Sequence, residues 1–419
     1  MKAIELAAGE SSRFYPYNSL GHKSLVTLLG KPLIIHTLEN LKKSGIETVI
    51  IIEGKEKNVS KTIKDTIPSG MNVSFVVQDA PVGMGEALLL CKDLITDPSF
   101  FLMSAYHFDF PEFANELEKA GKNDVVLLTQ KVQDASQFGL LTHKDGKVVV
   151  FEKPQKVTEG DKIVGIYLLT KKFIETLKRE KKEHYSFESA ISTYAKENTI
   201  VIVETKKPTI GLKFPWDLLD VKDYLLENIP LRISKSAKIS SKAIMSGNVF
   251  IDEGATVMEG AVITGPAYIG KNAYVGTGAI IRNGACIEAN AVVGGLMEIK
   301  NSILMERATT HSGFIGDSVV GENTKIAAGF NTANVRLDKN DVKVTVKGEK
   351  INTHKKYFGT ILGSHVSLGI RVGTMPGVII GNNTVIGPGT TVMENVEDNV
   401  TYYTEFKKTL QKKKDVSGS

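Results

Sequence analysis

Two groups of residues in this 419-residue chain have types and spacing suited to chemistry. The first is the loop LAAGESSRF, Leu6 to Phe14, which follows a short apolar run. Small residues and a glycine let such a loop wrap phosphates with its backbone N–H groups. Arg13 adds a planar charge to the same polyphosphate, and Lys23 with the Gly30-Lys31-Pro32 turn strengthens the reading. The second is His311, in ERATTHSGFIGD, Glu306 to Asp317. A histidine titrates near neutral pH, where protons are exchanged with reacting groups. By spacing alone, His311 fits a corner residue satisfied by a neighbour as well as a functional group.

The elements that must position these residues fall into two grammars. Up to about Glu227, strand-like and helix-like patterns alternate. Ile4 to Ala8 reads as a strand entering a turn, and Pro32 to Ser44 as a helix with apolar residues three and four apart. Thr48 to Ile52 is a β-branched run typical of a strand buried on both faces. Val73 to Val77, Phe100 to Ser104 and Val125 to Leu128 continue the series, with helical segments such as Gly85 to Leu94 between them. This predicts an α/β, Rossmann-like domain with a mostly parallel sheet and a ligand at the carboxyl ends of its strands.

From about Ile229 the period becomes six. Ile233, Ile239, Met245, Ile251, Val257, Ile263, Ile269, Val275, Ile281, Ile287, Val293, Ile299 and Met305 keep the beat, and it returns at Leu362, Leu368, Thr374, Ile380, Ile386 and Val392. No helix has this period; it is the hexapeptide signature of a left-handed parallel β-helix. The expected domains are therefore 1–228, 229–405 and a basic flexible tail, 406–419. After Met305 the next beat falls on His311, and the cadence re-forms at Phe314, Val320 and Ile326, as though three residues were inserted. An odd slip turns inward side chains outward, so the chain is expected to bulge there with His311 projecting. Thr332 to Gly359 reads as an extended loop or hairpin leaving the column, a structural flap or a lid for a neighbouring chain's site. Three flat outer faces on such a column favour a homotrimer.

Composition narrows the classes. Hydrophobic residues make up 42% and charged residues 24%, values of a globular chain with no long uncharged apolar segment to span a membrane. The N-terminus has no signal-peptide h-region, and the two cysteines, Cys91 and Cys286, lie far apart in apolar patterns that suit buried thiols. These features suit a cytoplasmic enzyme. The basic run Lys407, Lys408 and Lys412 to Lys414 lacks the aromatic pattern or groove-reading helix of a nucleic-acid arm.

The first half resembles the sugar-1-phosphate nucleotidyltransferases. Leu6-Ala7-Ala8-Gly9, Arg13, Pro16 and Lys23 match that family's first motif. Gln78 and Gly83 match its nucleobase-reading segment. Phe138-Gly139 and Glu152-Lys153-Pro154 match its sugar-binding segments, as does Gly165-Ile166-Tyr167. The resemblance implies that Leu6, Ala8, Gly9, Gln78 and Gly83 bind a nucleoside triphosphate, with Gly139 and Glu152 on the sugar phosphate. Arg13 and Lys23 would stabilise the charge that develops. Mg2+ would be held by Asp109 and Asp217. The chain departs from the family at Ser11-Ser12, at Lys23-Ser24, at Tyr106-His107 where a metal-binding Gly-Asp is usual, and at Ile163.

Gly294 to Val344 resembles the acetyltransferase segment of bifunctional glucosamine-1-phosphate acetyltransferase/N-acetylglucosamine-1-phosphate uridyltransferases, archaeal type. The resemblance implies that His311 is a general base taking a proton from the sugar's 2-amino group, which attacks acetyl-CoA. It places Arg282, Lys300, Asn334 and Lys343 on the sugar phosphate and Ala328-Gly329 beside acetyl-CoA. Phe314 stands where a tyrosine is usual, and Lys325 where an asparagine is usual. The implied product is UDP-N-acetylglucosamine, from UTP. Two other readings use the same residues: a nucleotidyltransferase whose β-helix only oligomerises it, and a non-catalytic scaffold with degenerate sites.

Overall fold

A computed structural model of the chain describes residues 1–121, 124–133, 139–144, 147–152, 159–227 and 229–410. Phe138, Lys153, Pro154 and Lys412 to Lys414 lie outside the described residues. The chain divides into two compact units, Met1–Asn228 and Ile229–Ser419.

The first unit is built on one mixed sheet. Four parallel strands stand side by side, in the order Ser99–Ser104, Lys2–Ala7, Thr48–Gly54 and Asn72–Gln78. Beyond Ser99–Ser104, the long strand Gly160–Thr170 runs antiparallel and carries Val125–Val132, which in turn pairs in parallel with Ile200–Glu204. The β-branched run Val49 to Ile52 is buried along its length, as a strand covered on both faces requires. Leu33–Lys43 covers one face with Ile34, Ile35, Leu38 and Leu41. The helical pattern after Gly83 resolves into Met84–Leu90 and a separate 3-10 turn, Lys92–Leu94. Cys91, at that junction, is a free buried thiol whose pKa burial pushes up to about 12.

The second unit is a column of three stacked parallel sheets. Inward residues such as Ile251, Ile269 and Ile287 align one above another at 18-residue intervals, three six-residue sides per coil. Full burial of each aliphatic side chain contributes about 1.5–3 kcal/mol, so the repeat is its own core. One corner needs a left-handed residue in every coil, and Gly254, Asn272, Asn290, Arg307, Asn323, His365, Asn383 and Asn399 supply it. Asn recurs there because a short polar side chain tolerates positive φ best after glycine.

The break in the six-residue beat proves to have a different cause from the one the spacing suggests. Ile281 pairs with Ile299, 18 residues on, but Ile287 pairs with Leu304, and Ile299, Leu304 and Thr310 pair with Ile315, Val320 and Ile326. The coil shortens to 17 and then 16 residues. No residues are inserted at His311. Three sides each lose one residue, and losing three from a six-residue frame shifts it as adding three would. The inward residues are Leu304, Thr310 and Ile315, not Met305 and Phe314. Phe314 therefore lies on the outer face of its strand, paired in register with Glu298 and Asn331. After Thr332 the chain leaves the column through the hairpin Lys343–Val346 and Glu349–Asn352 and returns at Thr360–Leu362.

Candidate active sites

In the first unit, strand register brings Leu6 beside Ser104 and places Gln78 at the end of the outer parallel strand. Above these ends opens a cleft of about 630 Å³ lined by Leu6, Ala8, Gly9, Arg13, Lys23, Gln78 and Gly83, residues spread over 78 positions of chain. The loop between them turns on Ser11, whose φ of 53° is left-handed. Its carbonyl accepts the Phe14 N–H at 2.8 Å and its hydroxyl accepts the Lys23 N–H at 3.3 Å. Gln78 Nε2 donates to the Gly83 carbonyl at 3.2 Å and to Glu86 at 3.0 Å. Gly83 has φ +136°, and a Cβ there would lie 2.3 Å from the His184 carbonyl oxygen, so only glycine fits.

Two residues not singled out from sequence, His22 and Lys213, shape the cleft, together with Tyr106, which stands where a metal-binding Gly-Asp was expected. Burial and the neighbouring Lys23 ammonium push the His22 pKa down to about 3, so its imidazole is neutral; Nδ1 lies 2.8 Å from the Ser24 hydroxyl. Lys23 Nζ donates to the Leu212 carbonyl at 2.5 Å and sits 4.2 Å from the centroid of the Tyr106 ring. Burial opposes ionisation of Tyr106, but Lys23, a hydrogen bond with Ser104, and Arg13 outweigh it and hold the phenol below its ordinary pKa. Arg13, Lys23 and Lys213 bring positive charge to the cleft, which Glu10 and Glu188 also line.

Neither expected metal carboxylate lines this cleft. Asp109 is buried, accepting the Ile210 N–H at 3.2 Å and facing His107 Nδ1 at 3.4 Å. His107 packs against Gly165, where the strand Gly160–Thr170 bulges. Asp217 Oδ2 accepts the N–H groups of Lys213 at 2.6 Å and Phe214 at 2.8 Å. Among the described residues, no three His, Cys, Asp or Glu side chains converge as a metal site. Gly139 and Glu152 pair directly across an antiparallel hairpin.

In the second unit, His311 occupies the corner between Thr309–Thr310 and Gly313–Gly316. Its side chain is exposed, while its backbone N–H donates to the Ile326 carbonyl at 3.0 Å. Beneath the corner, Gly294 approaches so closely that a Cβ would lie 2.0 Å from the His311 carbonyl oxygen. On the next coil, the Gly329 N–H donates to the Ser312 carbonyl at 2.9 Å, so Ala328-Gly329 stack on the His311 corner.

At the other end of the strand Gly313–Gly316, roughly 10 Å away at about 3.3 Å per residue, a polar cluster forms around Asp317. This buried carboxylate accepts from Lys300 Nζ at 2.8 Å, Asn301 Nδ2 at 2.8 Å and Asn334 Nδ2 at 2.5 Å. Asp317 is a residue of this cluster that neither motif nor spacing singles out along the chain. Arg282 pairs with Lys300 in register, and its guanidinium contacts Glu298 at 2.6 Å. Lys343 opens the hairpin instead, exposed, with its carbonyl close to Gly377. Lys325 lies on a different face, paired with Thr309 and Ser367. Between His311 and Asp317 lies Phe314, its ring edge over Gly316, which the Asn334 side chain also approaches.

The comparisons with known proteins match one family within the first unit and two within the second. The nucleotidyl transferase family matches residues 2–208, the GMPPB C-terminal domain residues 263–368, and the bacterial transferase hexapeptide (six repeats) residues 359–393. Bifunctional protein GlmU of Methanococcus maripaludis (strain C7) is 34% identical over 423 residues, covering 99% of this chain and 100% of the relative. That of Methanococcus vannielii is 32% identical over 411 residues, covering 95% and 96%. The bifunctional sugar-1-phosphate nucleotidylyltransferase/acetyltransferase of Sulfurisphaera tokodaii is 29% identical over 405 residues, covering 94% and 98%. With similarity running end to end through both units, this chain belongs to the family of bifunctional GlmU proteins.

Proposed function

We propose that the chain carries out two steps of sugar-nucleotide synthesis, N-acetylation of an amino-sugar 1-phosphate in the column and nucleotidyl transfer to a sugar 1-phosphate in the sheet unit. The observation that carries this reading is that each unit gathers its own set of candidate residues from distant positions in the chain. In acetylation the sugar's amine nitrogen attacks the thioester carbonyl of acetyl-CoA. The C–N bond forms, the C–S bond breaks, and CoA leaves as its thiol. His311 takes the amine's proton, a contribution of about 10²–10⁴-fold. Ala328-Gly329 border the pantetheine path, and Lys300, Asn334 and Arg282 serve the sugar phosphate; Lys343, on the hairpin, stays apart from them.

In nucleotidyl transfer a phosphate oxygen of the sugar attacks the α-phosphorus of a nucleoside triphosphate, UTP in this reading, and pyrophosphate departs. The nucleophile is already an anion, so the step needs charge neutralisation and alignment rather than a base. Arg13 and Lys23 supply the charge, and Gln78 and Gly83 frame the base. Mg2+ would further neutralise the triphosphate; of the carboxylates expected to hold it, Asp109 accepts the Ile210 N–H and Asp217 those of Lys213 and Phe214. The column's flat faces support a homotrimer, and absence of a long apolar helix among the described residues accords with a cytoplasmic enzyme.

The test is an assay of CoA release from acetyl-CoA with glucosamine 1-phosphate, beside pyrophosphate release from UTP with N-acetylglucosamine 1-phosphate. His311→Ala should abolish the first and spare the second, and Lys23→Ala the reverse. An acetyl-CoA-dependent activity that survives His311→Ala removes the base assignment, and no release of either product removes the proposal.

A further inference from the structure

Beside the Asp317 cluster stands one side chain without an assigned task. Tyr357 is 57% exposed, and the ammonium of Lys300 lies 4.8 Å from its ring centroid. Its backbone is fixed on three sides. Tyr357 bridges antiparallel to Val335, the next residue's N–H donates to the Asn334 carbonyl at 2.9 Å, and the Gly359 N–H donates to the Asp317 carbonyl at 2.9 Å. Phe358, fully buried, anchors the segment. A rigid backbone thus holds an aromatic ring in solvent, against a cation and next to Asn334. Core packing does not account for an exposed ring, and its hydroxyl has no hydrogen bond among the described residues.

The charge balance of the cluster says what is lacking. Lys300 is already paired with the buried Asp317, so together they bring no net charge to an anion. Asn334 has an Nδ2 hydrogen committed to the same carboxylate. The nearest aromatic on the strand itself, Phe314, has no polar atom. A phosphate held by Lys300 needs further donors, and a phenolic O–H beside the ammonium is one.

We infer that Tyr357 contacts the substrate in the acetylation site, donating its hydroxyl to the phosphate of the amino-sugar 1-phosphate while its ring holds the Lys300 ammonium in place. The inference rests on the assignment of Lys300 and Asn334 to the sugar phosphate. Tyr357→Phe retains the ring, its packing and its contact with Lys300, and removes only the hydroxyl. It should raise the KM for glucosamine 1-phosphate about tenfold, the loss of one hydrogen bond to a charged group, with kcat and the KM for acetyl-CoA unmoved. Glucosamine without the phosphate, turned over at high concentration, should show no difference between Tyr357→Phe and wild type. Phe314→Tyr added to Tyr357→Phe should recover part of the lost affinity.

Lys300→Ala separates this inference from the one beneath it. If Lys300→Ala raises the KM for glucosamine 1-phosphate and Tyr357→Phe leaves it unchanged, the site stands and Tyr357 has no part in it. If neither variant changes that KM, the phosphate does not bind at this cluster and both assignments fall. A Tyr357→Phe defect of equal size with unphosphorylated glucosamine also overturns the inference, because the hydroxyl would then act on something other than phosphate.

Discussion

Gly294→Ala is a sharp perturbation of the His311 corner, because it adds one methyl group directly beneath it. The new Cβ would lie 2.0 Å from the His311 carbonyl oxygen and 2.7 Å from both the His311 carbonyl carbon and the Thr310 carbonyl oxygen. Ordinary contact begins at 3.4 Å, so the corner must recede by about an ångström or more, and its atoms are backbone. Recession pulls on the hydrogen bonds that the corner makes to the next coil, His311 N–H to Ile326 at 3.0 Å and Gly329 N–H to Ser312 at 2.9 Å. Overpacking costs about 1–3 kcal/mol and one weakened backbone bond about 1 kcal/mol more. For a unit of this size the expected fall in melting temperature is about 5–12 °C. A base displaced by about 1 Å loses roughly 10²-fold in rate. Gly295→Ala is the internal control, since its Cβ meets only the Thr277 carbonyl, at 3.3 Å. Thermal denaturation and CoA release are measured for both, with pyrophosphate release as a reference that neither moves. Equal CoA release by Gly294→Ala and Gly295→Ala would refute both the crowding and the role of the corner.

Three further outcomes are expected. Asp317→Asn keeps a residue type suited to φ 51° but leaves Lys300 without its buried counter-charge; urea unfolding should show a loss of about 3 kcal/mol, and an unchanged midpoint counts against the cluster as a structural unit. Glu5→Leu should stabilise the chain most at high pH. Glu5 is wholly buried, both carboxylate oxygens lack partners among the described residues, and burial raises its pKa to about 8. A carboxyl raised on folding is favourable below its unfolded pKa, and that stability drains away as pH rises through about 8. Wild type should therefore lose up to about 3 kcal/mol between about pH 6 and pH 9 that Glu5→Leu does not lose; parallel curves for the two would exclude an ionising Glu5. Lys23→Ala should raise the Tyr106 pKa, because the ammonium holds it down, and ultraviolet titration of the phenolate reads the shift directly. A phenol that titrates unchanged would mean Lys23 does not sit over that ring.

Much of this architecture can be read along the chain, for a physical reason that differs between the units. In the column, each inward side chain is next to the one a coil away, so a local period reports a tertiary contact. Ile251, Ile269 and Ile287 need no long-range reasoning. In the sheet unit the β-branched run at Thr48 announces a buried strand, but nothing local announces that Gly160–Thr170 runs against its neighbours. The glycines and cations of Leu6 to Lys23 are legible because one loop holds them. Lys213 is not, because only folding carries it to the cleft.

The break before His311 shows where counting fails. A period of six records position only up to whole turns of the frame, so a loss of three and a gain of three look alike along the chain. They have opposite consequences in space. An insertion makes a bulge, leaves the histidine on a loop of its own, and keeps Phe314 in the core. Shortened sides keep every strand in register, put His311 on a tight corner over Gly294, and turn Phe314 out onto the face that leads to Lys300 and Asp317. A corner held in register, and not a loop, is what gives the histidine a fixed place: the backbone of His311 rests on Gly294 as the corners below rest on Gly270 and Gly276, each too close to the next coil for a Cβ.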